Sequence, residues 1–306
     1  MSVKKLTLAD RIYMIINYTI LILFCISTLY PFIYILVLSF NDGYDAMKGG
    51  IYLWPREFTL RNYEKAFQHP LITSSFLISV SRTLLVTVLS VLLTAMLAYG
   101  LARKGLPGRK YIVFFFFFTT LFSGGLIPTY VLYRQLGLMN SYWVLIIPSL
   151  YSFFNAVIVR TYFTGIPDSL SESARIDGAS ENTIFWRIML PLSMPVLATI
   201  ALFVGVGCWN DWFTGEFFIQ DQNLIPASTL LRKLIAEATF ESSTTSDSGS
   251  QILQVNIELE RIRRSGITPE SLRMSFLIII VTPIIFIYPF LQRYFVKGVM
   301  LGSLKE

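Results

Sequence analysis

Apolar positions along this chain neither alternate nor recur as a narrow helical stripe. They fill long runs that carry no charge at all: Ile12 to Asn41, Thr83 to Ala102, Tyr111 to Tyr133, Gln135 to Val159, Ile188 to Asn210 and Met274 to Gln292. Each run reaches the 18 or more residues expected of a bilayer-crossing helix, against a typical need of about 20. A helix that is apolar on every face is a core or membrane helix. The pattern therefore predicts an all-α integral membrane fold with six transmembrane helices, at 12–40, 72–102, 111–133, 140–162, 192–213 and 273–293.

Composition excludes the soluble alternative. Only 14% of the 306 residues are charged and 54% are hydrophobic, with a mean hydropathy of +0.60, where soluble proteins carry about 25% charge. Lys and Arg in the short links set the orientation. Lys4, Lys5 and Arg11, then Arg103, Lys104, Arg109 and Lys110, then Arg160, Arg175 and Arg187, then Arg293, Lys297 and Lys305 alternate so as to share one side. That side is the cytoplasm, and both termini lie there. The net charge of +6 is this asymmetry and not a nucleic-acid footprint. The first apolar run is too long for a signal-peptide core and is expected to remain as a helix. Cys25 and Cys208 fall inside spans, as small hydrophobes rather than a disulfide.

The search for reactive chemistry is short. His69 is the only histidine, which rules out a site of the His-Glu-x-x-His kind, and no Gly-rich loop ends in Lys-Ser or Lys-Thr in the frame a nucleotide P-loop needs. The chain is thus expected to catalyse nothing and to bind no cofactor. Any energy it uses must come from elsewhere.

One charged link stands out, at 165–191. Ser169 and Glu172 stand in capping-box register, Leu170, Ala174 and Asp177 follow at helical spacing, and Gly178 sits where a left-handed residue ends a helix. The expected rod of about eight residues is roughly 12 Å long. So short a helix is marginal alone. Its small residues, Ala174, Gly178 and Ala179, invite close approach by another protein.

Glu172-Ser173-Ala174, three residues, Gly178, nine residues and Ile188-Met189-Leu190-Pro191 resemble the Glu-Ala-Ala loop of ABC importer permeases, with Ser173 in place of an alanine. Ala98 to Arg103 with Leu106 to Arg109 look like the cytoplasmic end of that family's second helix. Gly124 to Tyr130, Leu136 to Ser141, Tyr288 to Gly298 and the ending Gly302-Ser303-Leu304-Lys305 resemble its carbohydrate-uptake branch, the polysaccharide and complex-oligosaccharide group of the maltose-type, binding-protein-dependent permeases. The resemblance covers nearly the whole chain and implies a single type I ABC importer transmembrane domain over 1–306 in a bacterial cytoplasmic membrane. It implies that Glu172, Ser173, Ala174, Asp177, Gly178, Ala179, Leu190 and Pro191 couple to an ATPase, and that the tail at Gly302, Ser303 and Lys305 faces it. The implied partners are a homologous permease forming a heterodimer, two cytoplasmic ATPases that hold ATP and Mg, an extracytoplasmic solute-binding protein and an oligosaccharide cargo. Another cargo, such as peptide, or a membrane scaffold without transport are the alternatives.

The remaining polar features are read singly. Trp209-Asn210-Asp211-Trp212 interrupts the fifth run, and an aspartate at a helix centre costs roughly 2.5 to 3.5 kcal/mol. Two readings stay open: a sugar-binding surface of flat indoles and polar groups, or the end of the span, with the tryptophans in the aromatic belt and Asp211 in water. Tyr130, Tyr151 and Asn155 are further pathway candidates. Arg82 is read as snorkelling to the outer face. Phe114 to Phe118 cover a whole helix circumference and indicate no site. The extracytoplasmic loop 214–272 holds two amphipathic patterns, around Leu230 to Ile235 and Ile252 to Ile262, parted by a mobile polar spacer from Thr239 to Ser250. Thr268-Pro269-Glu270 opens the last helix, which Pro283 and Pro289 are expected to kink.

Overall fold

A computed structural model describes residues 7–103, 105–243 and 260–303. Apart from an isolated antiparallel bridge between Asn41 and Phe58, regular structure among the described residues is helical. Helix α1 (Leu8–Ser39) opens with a capping box. The Thr7 hydroxyl accepts from the Asp10 backbone N–H at 3.2 Å, and the Asp10 carboxylate accepts from the Thr7 N–H at 2.9 Å. Short helices α2 (Gly43–Met47) and α3 (Arg61–Phe67) precede α4 (Ile72–Ala102).

Among the described residues, three helices are long and apolar enough to cross a membrane: α1, α4 and the last helix. Three bent helix pairs bring the total to as many as six if each pair is one span. The run 111–133 is therefore not one helix. It divides into α5 (Arg109–Leu121) and α6 (Leu126–Gln135), bent by 115°. Ser123, Gly124 and Gly125 cause the break, since Gly125 adopts φ 82° with ψ −176°, a conformation that side chains resist. The run 140–162 divides into a 3₁₀ stretch over Tyr142–Ser149 and α7 (Phe153–Thr164), bent by 44° near Pro148. After α8 (Asp168–Ile176), a third bend of 77° lies at Ser193, between Pro191 and Pro195. It separates α9 (Glu181–Ile184), a π-helical turn over Phe185–Met189 and α10 (Leu190–Leu192) from α11 (Met194–Asn210).

Beyond α11 come α12 (Phe213–Phe218), α13 (Ala227–Ser243) and α14 (Pro269–Ser303). The first amphipathic pattern of the outer loop is thus a helix that runs on to Ser243, so the opening of the polar spacer is helical rather than loose. The rest of that spacer, and the second pattern up to 259, lie outside the described residues. Helix α14 starts at the Thr268 cap, whose hydroxyl accepts from the Ser271 N–H at 3.0 Å, and continues through Pro283 and Pro289 as one helix. In α5, Phe114, Phe115, Phe117 and Phe118 are exposed, and Phe116 packs on Tyr151 and Phe153.

The described chain forms two compact units. The first, residues 1–69 and 234–279, is knitted by Asn62, which is fully buried. Its amide nitrogen donates to the carbonyls of Ser39 at 3.0 Å and Asn41 at 2.8 Å, and its oxygen accepts from the Ser271 hydroxyl at 2.9 Å. One side chain thereby joins the end of α1, the loop that follows it and the first turn of α14. Nearby, burial pushes the Asp45 carboxyl up, but donation from Asn41 and Arg56 outweighs this and holds it below the usual range.

The second unit, residues 70–233 and 280–306, is built around α4, α7 and α11. Its core joins Ala95 and Ala98 of α4, Val159 and Phe163 of α7, and Val196, Leu197 and Ile200 of α11, with Ile184, Phe185 and Met189 beneath. Helix α4 meets its neighbours through small residues, as membrane helices do where backbones approach closely: Ser75, Ser79, Ser90, Thr94, Ala95 and Ala98 are all buried. On α11, a methyl at Gly205 would stand 3.3 Å from the Thr87 hydroxyl of α4.

Asn62→Ala should leave the Asn41 carbonyl without its partner, at about 1 to 3 kcal/mol for a buried group left unsatisfied, and should also remove one bond each from the Ser39 carbonyl and the Ser271 hydroxyl, which keep Ser275 and Thr268. The expected outcome is a clear drop in the thermal unfolding midpoint of the purified protein in detergent, and an unchanged midpoint would refute the joining role.

Candidate functional site

Two groups of side chains in the second unit have functional geometry, one at the C-terminal end of α4 and one within its N-terminal half. At its C-terminal end lies α8. The expected capping box is not made: the helix starts at Asp168, one residue before Ser169, behind Pro167, whose φ of −57° and ψ of 128° hold it extended with no side-chain cap bond. Proline cannot continue a helix backwards, and Asp168 brings its charge to the positive helix end instead. The other end follows expectation. Gly178 has φ 81°, its N–H donates to the Arg175 carbonyl at 3.0 Å, and the Ala179 N–H donates to the Ala174 carbonyl at 2.9 Å. These are the two bonds of a Schellman motif.

The small residues do not form an outward face. Ala174 and Ala179 pack against the chain's own core, with Leu190 and Phe163. What α8 presents outward is Leu170, Glu172, Ser173, Asp177 and above all Ile176, 87% exposed. Nothing lies within 4 Å of where a side chain at Gly178 would begin, so in this chain a substitution there meets backbone strain and no clash. Pro191 stands exposed just before the 77° bend. Gly302 and Ser303 fall in the last turn of α14, and Lys305 lies outside the described residues.

Sequence reasoning missed Glu181, the first residue of α9. Its carboxylate accepts from Arg175 Nε at 3.0 Å and from the Tyr99 hydroxyl at 2.8 Å, and it pairs with Arg103. A cavity of about 550 Å³ opens beside it, lined by Tyr99, Arg103, Asp168, Glu172 and Arg175 among others. The local signal was an acid three residues past Gly178, close to two basic links.

Toward the other end of α4, Arg82 does not snorkel. It is 1% exposed, and its guanidinium donates to the Leu145 carbonyl at 3.0 Å and the Asp211 carbonyl at 3.3 Å while pairing with the Asp211 carboxylate. Helix α11 does end at Asn210, as the second reading of the tryptophan cluster requires, yet Asp211 is paired rather than solvated. Its second oxygen accepts from the Thr214 N–H at 3.1 Å, and its carbonyl also takes the Ser228 hydroxyl at 3.0 Å. The Trp212 carbonyl accepts from Thr229 at 2.9 Å. Carbonyls freed by the helix end are thus satisfied by side chains.

The four clustered residues have different surroundings. Trp209 is buried, with its indole N–H donating to the Ile280 carbonyl at 3.1 Å and its ring edge-on to Phe76. Asn210 is exposed. Trp212 is half-buried beneath the guanidinium of Arg232, 3.5 Å from the ring centre. Of the weaker candidates, Tyr130 stacks near Phe218, Tyr151 packs on Phe116 with its ring largely exposed, and Asn155 is buried in the first turn of α7. The structure does not gather these three with the tryptophan cluster into one lined site. Among the described residues no group of three or more potential ligands could hold a metal.

A polytopic helical membrane protein with a short, outwardly presented helix, opened by Pro167 and closed by a Schellman motif at Gly178, fits the class of membrane transport subunits worked by other proteins. The chain belongs to the family of binding-protein-dependent transport system inner membrane components, whose profile matches residues 1–301. In this family the membrane permease is not the catalytic subunit, and ATP is hydrolysed by separate subunits. It is 36% identical to the polygalacturonan/rhamnogalacturonan transport system permease protein YtcP of Bacillus subtilis, over 97% of this chain and 99% of that one. It is also 36% identical to the protein LplC of the same organism, over 98% and 97%. Among solved structures, it resembles a bacterial ABC transporter involved in the import of the acidic polysaccharide alginate, with a TM-score of 0.83, 28% identity, and 94% and 98% of the two chains covered.

Asp211→Asn keeps the cap on Thr214 but leaves Arg82 as an uncompensated buried cation, and breaking a buried pair costs about 3 to 5 kcal/mol. Accumulation in the membrane and the unfolding midpoint should both fall, and Arg82→Met in the same chain should recover part of the loss. Equal midpoints for the wild type and Asp211→Asn would refute the pairing.

Proposed function

We propose that this chain is one of two permease subunits of an importer that carries acidic oligosaccharide fragments across the cytoplasmic membrane. A homologous permease completes the pore, two cytoplasmic ATPases drive it with ATP and Mg, and an extracytoplasmic binding protein delivers the cargo. Both termini lie in the cytoplasm and six spans cross the bilayer, counting each bent pair as one.

The observation that carries this reading is α8. A nine-residue helix that exposes Leu170 and Ile176 and is fixed behind by Ala174 and Ala179 is a rigid peg with an unpartnered apolar tip. It is built to seat in another protein. Glu172, Ser173 and Asp177 lie on the exposed side and meet the ATPase, while Ala174, Gly178, Ala179, Leu190 and Pro191 hold the peg in place. The tail at Gly302, Ser303 and Lys305 adds a second contact. Closing of the ATPases around ATP moves the peg and opens the pore to the binding protein.

The acidic cargo is supported by two of the similar proteins, one named for polygalacturonan and the other for an acidic polysaccharide. On this chain, the exposed Arg232, held flat over Trp212, and the exposed Asn210 provide a cation and an amide for carboxylate and hydroxyl groups. Asp211 and Trp209 position that surface, while Tyr130, Tyr151 and Asn155 lie apart from it and act through packing.

Two measurements on the reconstituted complex test this. Gly178→Asp should insert normally yet lose uptake, through strain at positive φ and steric conflict with the docked ATPase, whereas Ser173→Ala should transport as wild type. Full transport by Gly178→Asp would overturn the coupling assignment. Oligogalacturonates should compete for uptake at least tenfold better than neutral galacto-oligosaccharides, and equal competition would overturn the acidic cargo.

A further inference from the structure

Glu181 is not one of the residues that spell the family motif, lying among the nine between Gly178 and Ile188, yet it is bonded to two helices at once. Arg175 belongs to the last turn of α8, Tyr99 to the last turn of α4, and Arg103 is the C-terminal cap of α4. The carboxylate faces all three. Beside it the 550 Å³ cavity separates Asp168 and Glu172 of α8 from Tyr99 and Arg103 of α4. A polar connection between the two helices runs past that gap through Glu181.

We infer that Glu181 is a positioning residue that clasps the coupling helix to α4, so that displacement of α8 is delivered to α4. The inference rests on the reading of α8 as the peg that meets the ATPase. From Tyr99 to Arg82 the helix rises about 26 Å at 1.5 Å per residue, and at Arg82 it is joined to the end of α11 through Asp211. A pull at the clasp is therefore felt at Arg82, in the N-terminal half of α4, where the proposed cargo surface begins.

Charge explains why a carboxylate is needed. Arg103 and Arg175 converge on one acid, so removing its charge leaves two guanidinium groups repelling each other across the gap and drives α8 from α4. The three side chains are 38 to 47% exposed, and exposed pairs of this kind contribute little to stability. Their loss is felt in geometry rather than in folding.

The test is the ratio of cargo imported to ATP hydrolysed, measured on the complete complex in proteoliposomes. With Glu181→Gln, assembly and ATP hydrolysis by the partner subunits should continue, and the ratio should fall at least fivefold. Tyr99→Phe, which keeps both ion pairs, should lower it less than twofold. A merely structural role would reduce import and hydrolysis together and leave the ratio unchanged, and that result overturns the inference. Should Glu181→Gln fail to assemble, Arg175→Gln is read for the same ratio, and an unchanged value there is equally fatal. Gly178→Asp separates the two levels of argument. If it abolishes import while Glu181→Gln keeps a normal ratio, the clasp fails and the coupling helix stands. If Gly178→Asp transports normally, the coupling assignment itself has failed.

Discussion

Every backbone N–H and C=O in an apolar surrounding must find a partner, because no water is there to take it. Continuous helices such as α1 and α4 meet this rule internally. Broken ones meet it only where side chains stand in, and those side chains mark the informative places in the chain. At the end of α11 the carbonyls of Asp211 and Trp212 are taken by Arg82, Ser228 and Thr229, and the Ala227 N–H is taken by the Ser79 hydroxyl at 2.8 Å. Asn140, at φ 54°, accepts the N–H groups of Gln220 and Asp221 at 2.9 and 2.7 Å. Asn62 serves the carbonyls at the end of α1.

The same rule accounts for the polar stripe on an otherwise apolar α4. Ser79 and Arg82 are buried there because the chain leaving α11 needs donors and acceptors. Fixing one arginine among three acceptors leaves it no cause to reach for the surface. Its partner could not be read locally, since Arg82 and Asp211 lie 129 residues apart. Snorkelling was a statement about one residue and its own helix, whereas the outcome was decided by a different helix.

Much of the architecture was legible because membrane crossing leaves a coarse mark: long charge-free runs need no knowledge of tertiary contacts. The breaks were less legible. Gly124-Gly125, Pro148 and the pair Pro191 and Pro195 all stood in the sequence, but an apolar run looks the same whether its helix is straight or bent. In the charged link at 165–191, the end at Gly178 was readable because positive φ depends on local chemistry. The start was not, as Pro167 overrode a plausible Ser169 cap. The inward turn of Ala174 and Ala179 was hidden for another reason: a small residue fits a foreign surface and the chain's own core equally well, and only packing decides. The Trp209 indole was a similar case, since stacking on a sugar and donating to Ile280 call for the same residue type.

Helix α4 carries two ionic groups of opposite character, one at Arg82 in its N-terminal half and one at its C-terminal end, and the difference follows from their solvation. The Arg82 and Asp211 pair is mostly withdrawn from solvent, so separating it costs about 3 to 5 kcal/mol. The Glu181 group is half exposed, where water and salt screen each link and single bonds exchange at little cost. A rod held firmly at one point along its length and adjustably at its end transmits motion without being dismantled by it. The adjustable end lies beside the helix that an ATPase would push, and the firm point lies beside Asn210 and Trp212. Reversing the two would place a costly rupture where movement enters and slack where it must be delivered.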